Sequence, residues 1–162
     1  MKFIIVLLVI TFSFIELSSA AAAAVEGSKC QKQKGLGERR KDAPKLIPEC
    51  DSNGEYKPLH CFTEGGKKMC QCWHPKTGDL MKGPSATTKF CDCVLARHEA
   101  EKKSRTGSIG HHTPRCENDG SFSKRQCSGS TGYCWCTKPS GEKIAGTEKR
   151  PEGGNGKEFK CS

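Results

Sequence analysis

Twelve cysteines fall into two sets of six with one shared spacing, and no other feature of the chain limits its folding options as much. The first set is Cys30, Cys50, Cys61, Cys70, Cys72 and Cys91; the second is Cys93, Cys116, Cys127, Cys134, Cys136 and Cys161, with Asp92 alone between them. Ten residues separate Cys50 from Cys61, and ten separate Cys116 from Cys127. Each copy continues with a Cys-x-Cys, then a Gly-x4-Gly (Gly78 with Gly83, Gly141 with Gly146), then one last cysteine. Such self-similarity means two copies of one structural unit. A single intervening residue leaves no flexible linker, so their mutual orientation is restricted.

Only 34% of the 162 residues are hydrophobic, cysteines included. Ordering each residue costs about 1 to 2 kcal/mol of conformational entropy, and so thin a core needs the roughly 2 to 4 kcal/mol that a disulfide contributes. The N-terminus indicates an oxidising compartment. Residues 3–15 form one apolar run behind Lys2, followed by Ser18, Ser19 and a string of alanines. This reads as a secretory signal peptide over residues 1–24, cut after Ala20 or Ala24. The run is too short for the roughly 20 residues of a membrane-spanning helix. The expectation is a secreted, extracellular monomer with modules at 25–92 and 93–162, in which the cysteines are bridged and bind no metal.

Each module reads as a short helical start, a tight turn, two short strands and a loop-rich tail. Asn53-Gly54 and Asp119-Gly120 are turn signals, after which Tyr56 and Phe122 begin strands and pack the core with Trp73 and Trp135. Residues 94–103 are the best helix, with Asp92 placed to cap it and Glu99 paired to Lys103. Gly35 and Gly37 shorten the equivalent helix of copy one. Six cysteines allow 15 pairings. The two members of a Cys-x-Cys take different partners, because direct closure would make a strained ring, and spacing decides nothing further.

The Pro-x-Cys before each turn, the Asn/Asp-Gly-x-aromatic turn itself, Cys134-Trp135-Cys136 and the run from Gly141 to Thr147 together resemble the thyroglobulin type-1 domain, twice over. The two-domain layout is similar to small secreted type-1 proteins of spider venoms, the ctenitoxin-like thyropins. The resemblance implies a small disulfide-rich α+β fold with sequential bridges, Cys30–Cys50, Cys61–Cys70, Cys72–Cys91, Cys93–Cys116, Cys127–Cys134 and Cys136–Cys161. It also implies inhibition of papain-like cysteine proteases, with loops of each copy wedged into the active-site cleft. In copy one those loops are residues 43–47, 62–69 and 78–84; in copy two they are 108–113, 128–133 and 141–147. The contact residues expected from them are Ala43, Pro44, Lys45, Leu46, Ile47, Glu64, Gly65 and Gly66, then Ser108, Ile109, Gly110, His111, His112, Gly129, Ser130, Thr131 and Gly132. Copy one departs from the family pattern: its Trp73 lies outside Cys70-Gln71-Cys72, Gly83-Pro84 replaces Gly-Thr, and His60 stands where copy two has Gln126. Copy two has Lys124 where copy one has Pro58.

No catalytic pattern accompanies these features. With every cysteine bridged, the five histidines fit no hydrolase or zinc-protease pattern, so neither enzyme activity nor a cofactor is expected. The paired His111-His112 reads as solvated, or as a group that charges in an acidic compartment and tunes binding. The net charge of +9 admits a second reading, weak binding to glycosaminoglycan or another acidic partner through Lys29, Lys32, Lys34, Arg39, Arg40, Lys41, Lys102, Lys103 and Arg105. A signalling protein or another protease class are further targets. Export removes nucleic acid from consideration.

Overall fold

The computed structural model describes residues 27–107, 110–151 and 159–161; the expected signal peptide lies outside them. Copy one opens with helix α1, Lys29–Arg40, started by a reciprocal cap in which Ser28 Oγ accepts from Gln31 N and Gln31 Oε1 accepts from Ser28 N. The helix runs straight through Gly35 and Gly37, contrary to the expected shortening. Packing outweighs propensity here: Gly37 is buried, and a Cβ on it would lie 3.1 Å from Ile47 Cγ1. A 3-10 turn at Pro44–Leu46 leads to the turn holding Gly54, across which Cys50 and Tyr56 form an isolated bridge. The regular strands begin later than expected, with β1 (Leu59–Glu64), β2 (Lys67–Trp73) and β3 (Leu80–Ser85) in an antiparallel sheet ordered β1-β2-β3. Glu64 pairs with Lys67 around Gly65 (φ 59°) and Gly66 (φ 75°). Two successive positive φ angles make this the two-residue hairpin turn whose twist matches the strands.

Copy two repeats the plan in shorter form. Helix α2, Asp92–Arg105, is capped at Cys91, so Asp92 acts as a first-turn carboxylate instead of the cap. Glu99 reaches His74 of copy one, Nε2 to Oε1 3.1 Å, and the (i, i+4) pair on this helix is Arg97 with Glu101. Strands β4 (Arg125–Cys127) and β5 (Cys134–Cys136) make a two-stranded sheet. Where copy one has β3, copy two has, among the described residues, the isolated bridges Thr137–Lys143 and Cys134–Lys149.

Six disulfides join Cys30–Cys50, Cys61–Cys70, Cys72–Cys91, Cys93–Cys116, Cys127–Cys134 and Cys136–Cys161. Their sulfurs form much of the core. Cys30 packs with Tyr56 and Trp73, whose rings stack at 5.9 Å, while Cys134 and Cys136 pack with Phe159. The first glycine of each Gly-x4-Gly has the same task in both copies. Gly78 (φ 77°) lies over the Tyr56 ring and Gly141 (φ 90°) over the Phe122 ring, where any Cβ would collide. Both the conformation and the close approach demand glycine.

The two copies are fixed to each other by hydrogen bonds to the turn of copy two. Asp119 O accepts from Lys89 N (2.8 Å) and Phe90 N (3.0 Å), Asn118 O accepts from Lys82 Nζ, and Gly120 sits directly against Phe90 O. In copy one the matching turn packs Gly54 onto Ser28. Each turn thus docks on the segment that precedes its own helix, and for copy two that segment is the tail of copy one.

Candidate functional site

In copy one, residues 43–47 are held against the β1–β2 hairpin by two contacts. Gln71 Nε2 donates to Lys45 O (2.6 Å), and Lys45 Nζ pairs with Glu64 Oε1 (2.8 Å). Lys45 therefore joins the first expected segment to the second. Leu46 projects from the 3-10 turn, 55% exposed, while Ile47 turns inward onto Gly37. Ala43 and Pro44 are exposed, as are Glu64, Gly65 and Gly66 at the hairpin tip. The third segment, residues 78–84, was expected as a loop and is largely strand β3, bonded to the edge of β2 opposite β1. Where the family pattern has Thr after the second glycine, Pro84 sits within this strand, on an outer strand where a missing N–H is tolerated.

Copy two ties its segments together differently. Ser108 and Ile109 lie outside the described residues. Gly110 takes φ 94°, and its carbonyl faces Ser130 Oγ at 3.5 Å. His111 is exposed, but His112 is half-buried: its Nδ1 lies 3.1 Å from Cys127 O, its Nε2 lies 3.1 Å from Gln126 Oε1, and its ring meets Trp135 edge-on at 4.7 Å. The solvated reading of this pair therefore holds for His111 alone. Gln126 is 1% exposed, and its Oε1 also accepts from Arg115 N while its Nε2 donates to Arg115 O and Ser123 O, each at 2.8 Å.

Residues 128–133 form a closed turn in which Gly132 N donates to Ser128 O and Ser128 N to Tyr133 O. Gly132 takes φ 73°, Gly129, Ser130 and Thr131 are exposed, and Tyr133 is 44% exposed. The third segment is pinned to β5, since Ile144 N donates to Cys136 O and Cys136 N to Thr147 Oγ1. Lys143 Nζ sits 5.0 Å from the centre of the Trp135 ring and pairs with Glu148 at 2.6 Å. Trp135 is thus not a plain core residue. It is half-buried, with His112 of the first segment and Lys143 of the third both on its ring, and Gly110–Ser130 links the first segment to the second.

Sequence reading missed this joining role of Trp135, along with the parts of Gln71 and Gln126. The trace of it in the sequence is an exchange between the copies, with Gln126 standing where copy one has His60 and Trp135 where copy one has Gln71. Charge is tuned at the contact between copies. The His74 hydrogen bond holds the Glu99 carboxyl below the usual carboxylate range, and two hydrogen bonds from Ser121 do the same for Asp119. Among the described residues no cluster of His, Cys, Asp and Glu could hold a metal ion, and no helix is long and apolar enough to cross a membrane.

Comparison with known proteins agrees with this architecture. The family model for the thyroglobulin type-1 repeat matches residues 25–93 and 91–155. The chain belongs to that family. It is 46% identical to U20-hexatoxin-Hi1a of Hadronyche infensa over 125 residues, covering 75% of this chain and 82% of the relative. It is 32% identical to U24-ctenitoxin-Pn1a of Phoneutria nigriventer, covering 72% and 87%, and 32% identical to equistatin of Actinia equina, covering 64% of this chain and 45% of that longer protein.

Proposed function

We propose that this protein is a secreted, monomeric inhibitor of papain-like cysteine proteases, formed of modules at 25–92 and 93–162 after removal of residues 1–24. The observation that carries the reading is the edge of copy two, where a disulfide-held frame sets two chain segments on Trp135, links the third through Gly110 and Ser130, and leaves Tyr133 and Ile144 exposed. A wedge fixed before it meets its target avoids most of the ordering cost of binding. It also resists cleavage, because a protease must draw a substrate segment into an extended conformation and these segments are closed by bridges. The relatives from Hadronyche and Phoneutria carry toxin names, which supports a venom setting.

The test is steady-state inhibition of a papain-like protease by the oxidised chain, with Tyr133→Ala and Leu46→Ala as variants. Competitive inhibition weakened by Tyr133→Ala supports the reading and locates the wedge in copy two; weakening by Leu46→Ala alone moves it to copy one. Absence of inhibition by folded protein rules out this target class. Binding to an acidic polymer would then be tested by its steep loss with added salt.

A further inference from the structure

Histidine 112 sits where its protonation state matters. Its Nδ1 faces Cys127 O and its Nε2 faces Gln126 Oε1, both at 3.1 Å. Both of these atoms are acceptors. The Gln126 amide cannot be turned to offer its NH2 group to the ring: its oxygen is fixed by the Arg115 N–H, and its nitrogen by the carbonyls of Arg115 and Ser123. Turned over, it would set a donor against a donor and an oxygen against two oxygens. A neutral imidazole carries one N–H and satisfies one of the two acceptors; an imidazolium satisfies both.

We infer that His112 is a proton-dependent tether, which holds residues 110–115 against strand β4 with two hydrogen bonds in acid and loses one of them as pH rises. The inhibitory consequence rests on the function proposed above: copy two presents its first segment more firmly, and inhibits better, in an acidic compartment. His112 acts as a positioning residue, since it lies behind the exposed edge.

The charged groups around it fit this role. On its own segment His111 is exposed and Arg115 is exposed; on β4 the Arg125 guanidinium donates to Phe159 O; β5 contributes the uncharged Trp135; and Lys143, beyond that ring, is paired with Glu148. The ring nitrogens are met by neutral oxygens, so no carboxylate bonded to them locks the charged form in place. Copy one has no equivalent, because there Gln71 bonds the Lys45 carbonyl directly.

The test uses the oxidised full chain labelled with nitrogen-15, followed from pH 8 to pH 5. The expected spectra show both His112 ring nitrogens protonated at pH 5. The Arg115 amide, corrected for intrinsic exchange, should be protected about fivefold better at pH 5 than at pH 8, roughly what one lost hydrogen bond is worth. His111→Gln should keep that difference and His112→Gln should abolish it. A single ring proton on His112 at pH 5, or equal Arg115 protection at both pH values, overturns the tether, and the wild-type spectra decide this even if a variant fails to fold. With a protease active across the range, inhibition by the wild type should weaken about fivefold more than that by His112→Gln between pH 5.5 and 7.5. Equal pH dependence of the two overturns the inhibitory consequence. Lack of inhibition at every pH discards the functional proposal, while the ring-nitrogen spectra still decide the tether.

Discussion

The two copies hold the same segment to the same hairpin from opposite strands. In copy one the glutamine is on the second strand, where Gln71 bonds Lys45 O, and the residue across from it is His60. In copy two the glutamine is on the first strand, where Gln126 bonds Arg115 and His112, and the residue across from it is Trp135. The exchange moves the tryptophan as well. Trp73, outside its cysteine pair, is buried against Tyr56, whereas Trp135, inside its pair, is half-buried and serves the candidate edge. One scaffold thus uses its tryptophan for the core in one copy and for the edge in the other. Each copy contains one of the protein's two tryptophans, so fluorescence reports on each in turn when the other is replaced by Phe.

The largest effect is expected from the glycines that pass over the aromatic rings. Gly78→Ala places a Cβ in the left-handed region and against Tyr56, which is 2% exposed and whose hydroxyl donates to Gln33 Oε1. A loss of about 3 kcal/mol is expected, from overpacking plus backbone strain. Gly141→Ala meets the half-buried Phe122, which has more room to yield, so about 1 to 2 kcal/mol is expected. Denaturant unfolding measures both, and equal losses would mean that the two ring contacts are equivalent despite their different burial.

Removing the glutamines should rank next. Gln126→Ala leaves Arg115 N without its partner and takes one donor from each of the Arg115 and Ser123 carbonyls, which keep Ser123 N and Thr137 Oγ1, for an expected loss of about 2 kcal/mol. Gln71→Ala frees one carbonyl, for about 1 kcal/mol. The reverse order in unfolding midpoints would break the idea that copy two relies more heavily on its glutamine.

A substitution that makes copy one more like copy two should act the other way. His60 is buried with Nδ1 unbonded, packed between Phe62 and Trp73, and the Trp73 Nε1 beside it is also unbonded. His60→Gln supplies the side chain that bonds the backbone in copy two, and a gain of about 0.5 to 1 kcal/mol is expected. A lower midpoint on thermal unfolding would show that the ring packing of His60 outweighs its missing hydrogen bond.

The repeat, the turns and helix α2 were legible in the sequence because each is encoded locally: by cysteine spacing, by Asn53-Gly54 and Asp119-Gly120, and by an uninterrupted run of helix-tolerant residues. What escaped depends on contacts far apart in the chain. Gly37 reads as a helix breaker until Ile47 is seen packed on it, and the carboxylate of Glu99 reads as a partner for Lys103 until His74 of the other copy arrives. Strand β3 contains both Gly83 and Pro84, residues that argue against a strand unless its place at the sheet edge is known. At the candidate site the segments themselves were legible from the cysteine framework. That Trp135 would collect two of them on its ring, and that Lys45 would join the other two through Glu64, depends on side-chain directions that no spacing rule supplies.

The smallest expected effect concerns the two turns, which are held by carboxylates at different positions. In copy one Asp51 Oδ1 accepts from Asn53 N and Glu55 N, whereas in copy two the residue before the glycine, Asp119, accepts from Ser121 N (3.0 Å) and Ser121 Oγ (2.6 Å). Those bonds favour the charged form, so the Asp119 carboxyl is held below its ordinary value in the folded protein. A folded value lower than the unfolded one contributes stability that is complete above the ordinary aspartate range and is lost as pH falls through the folded value. Because the Asp119 carbonyl also carries the tail of copy one through Lys89 and Phe90, loss of the turn in acid would loosen the contact between copies. Asp119→Asn, the residue copy one has there, removes the titrating group while keeping a side-chain oxygen for Ser121. Urea midpoints followed by Trp135 fluorescence in a Trp73→Phe background should fall less between pH 5 and pH 2 for Asp119→Asn than for the parent. Parallel decline of the two would assign the acid sensitivity of copy two to other carboxylates and leave the two turns equivalent.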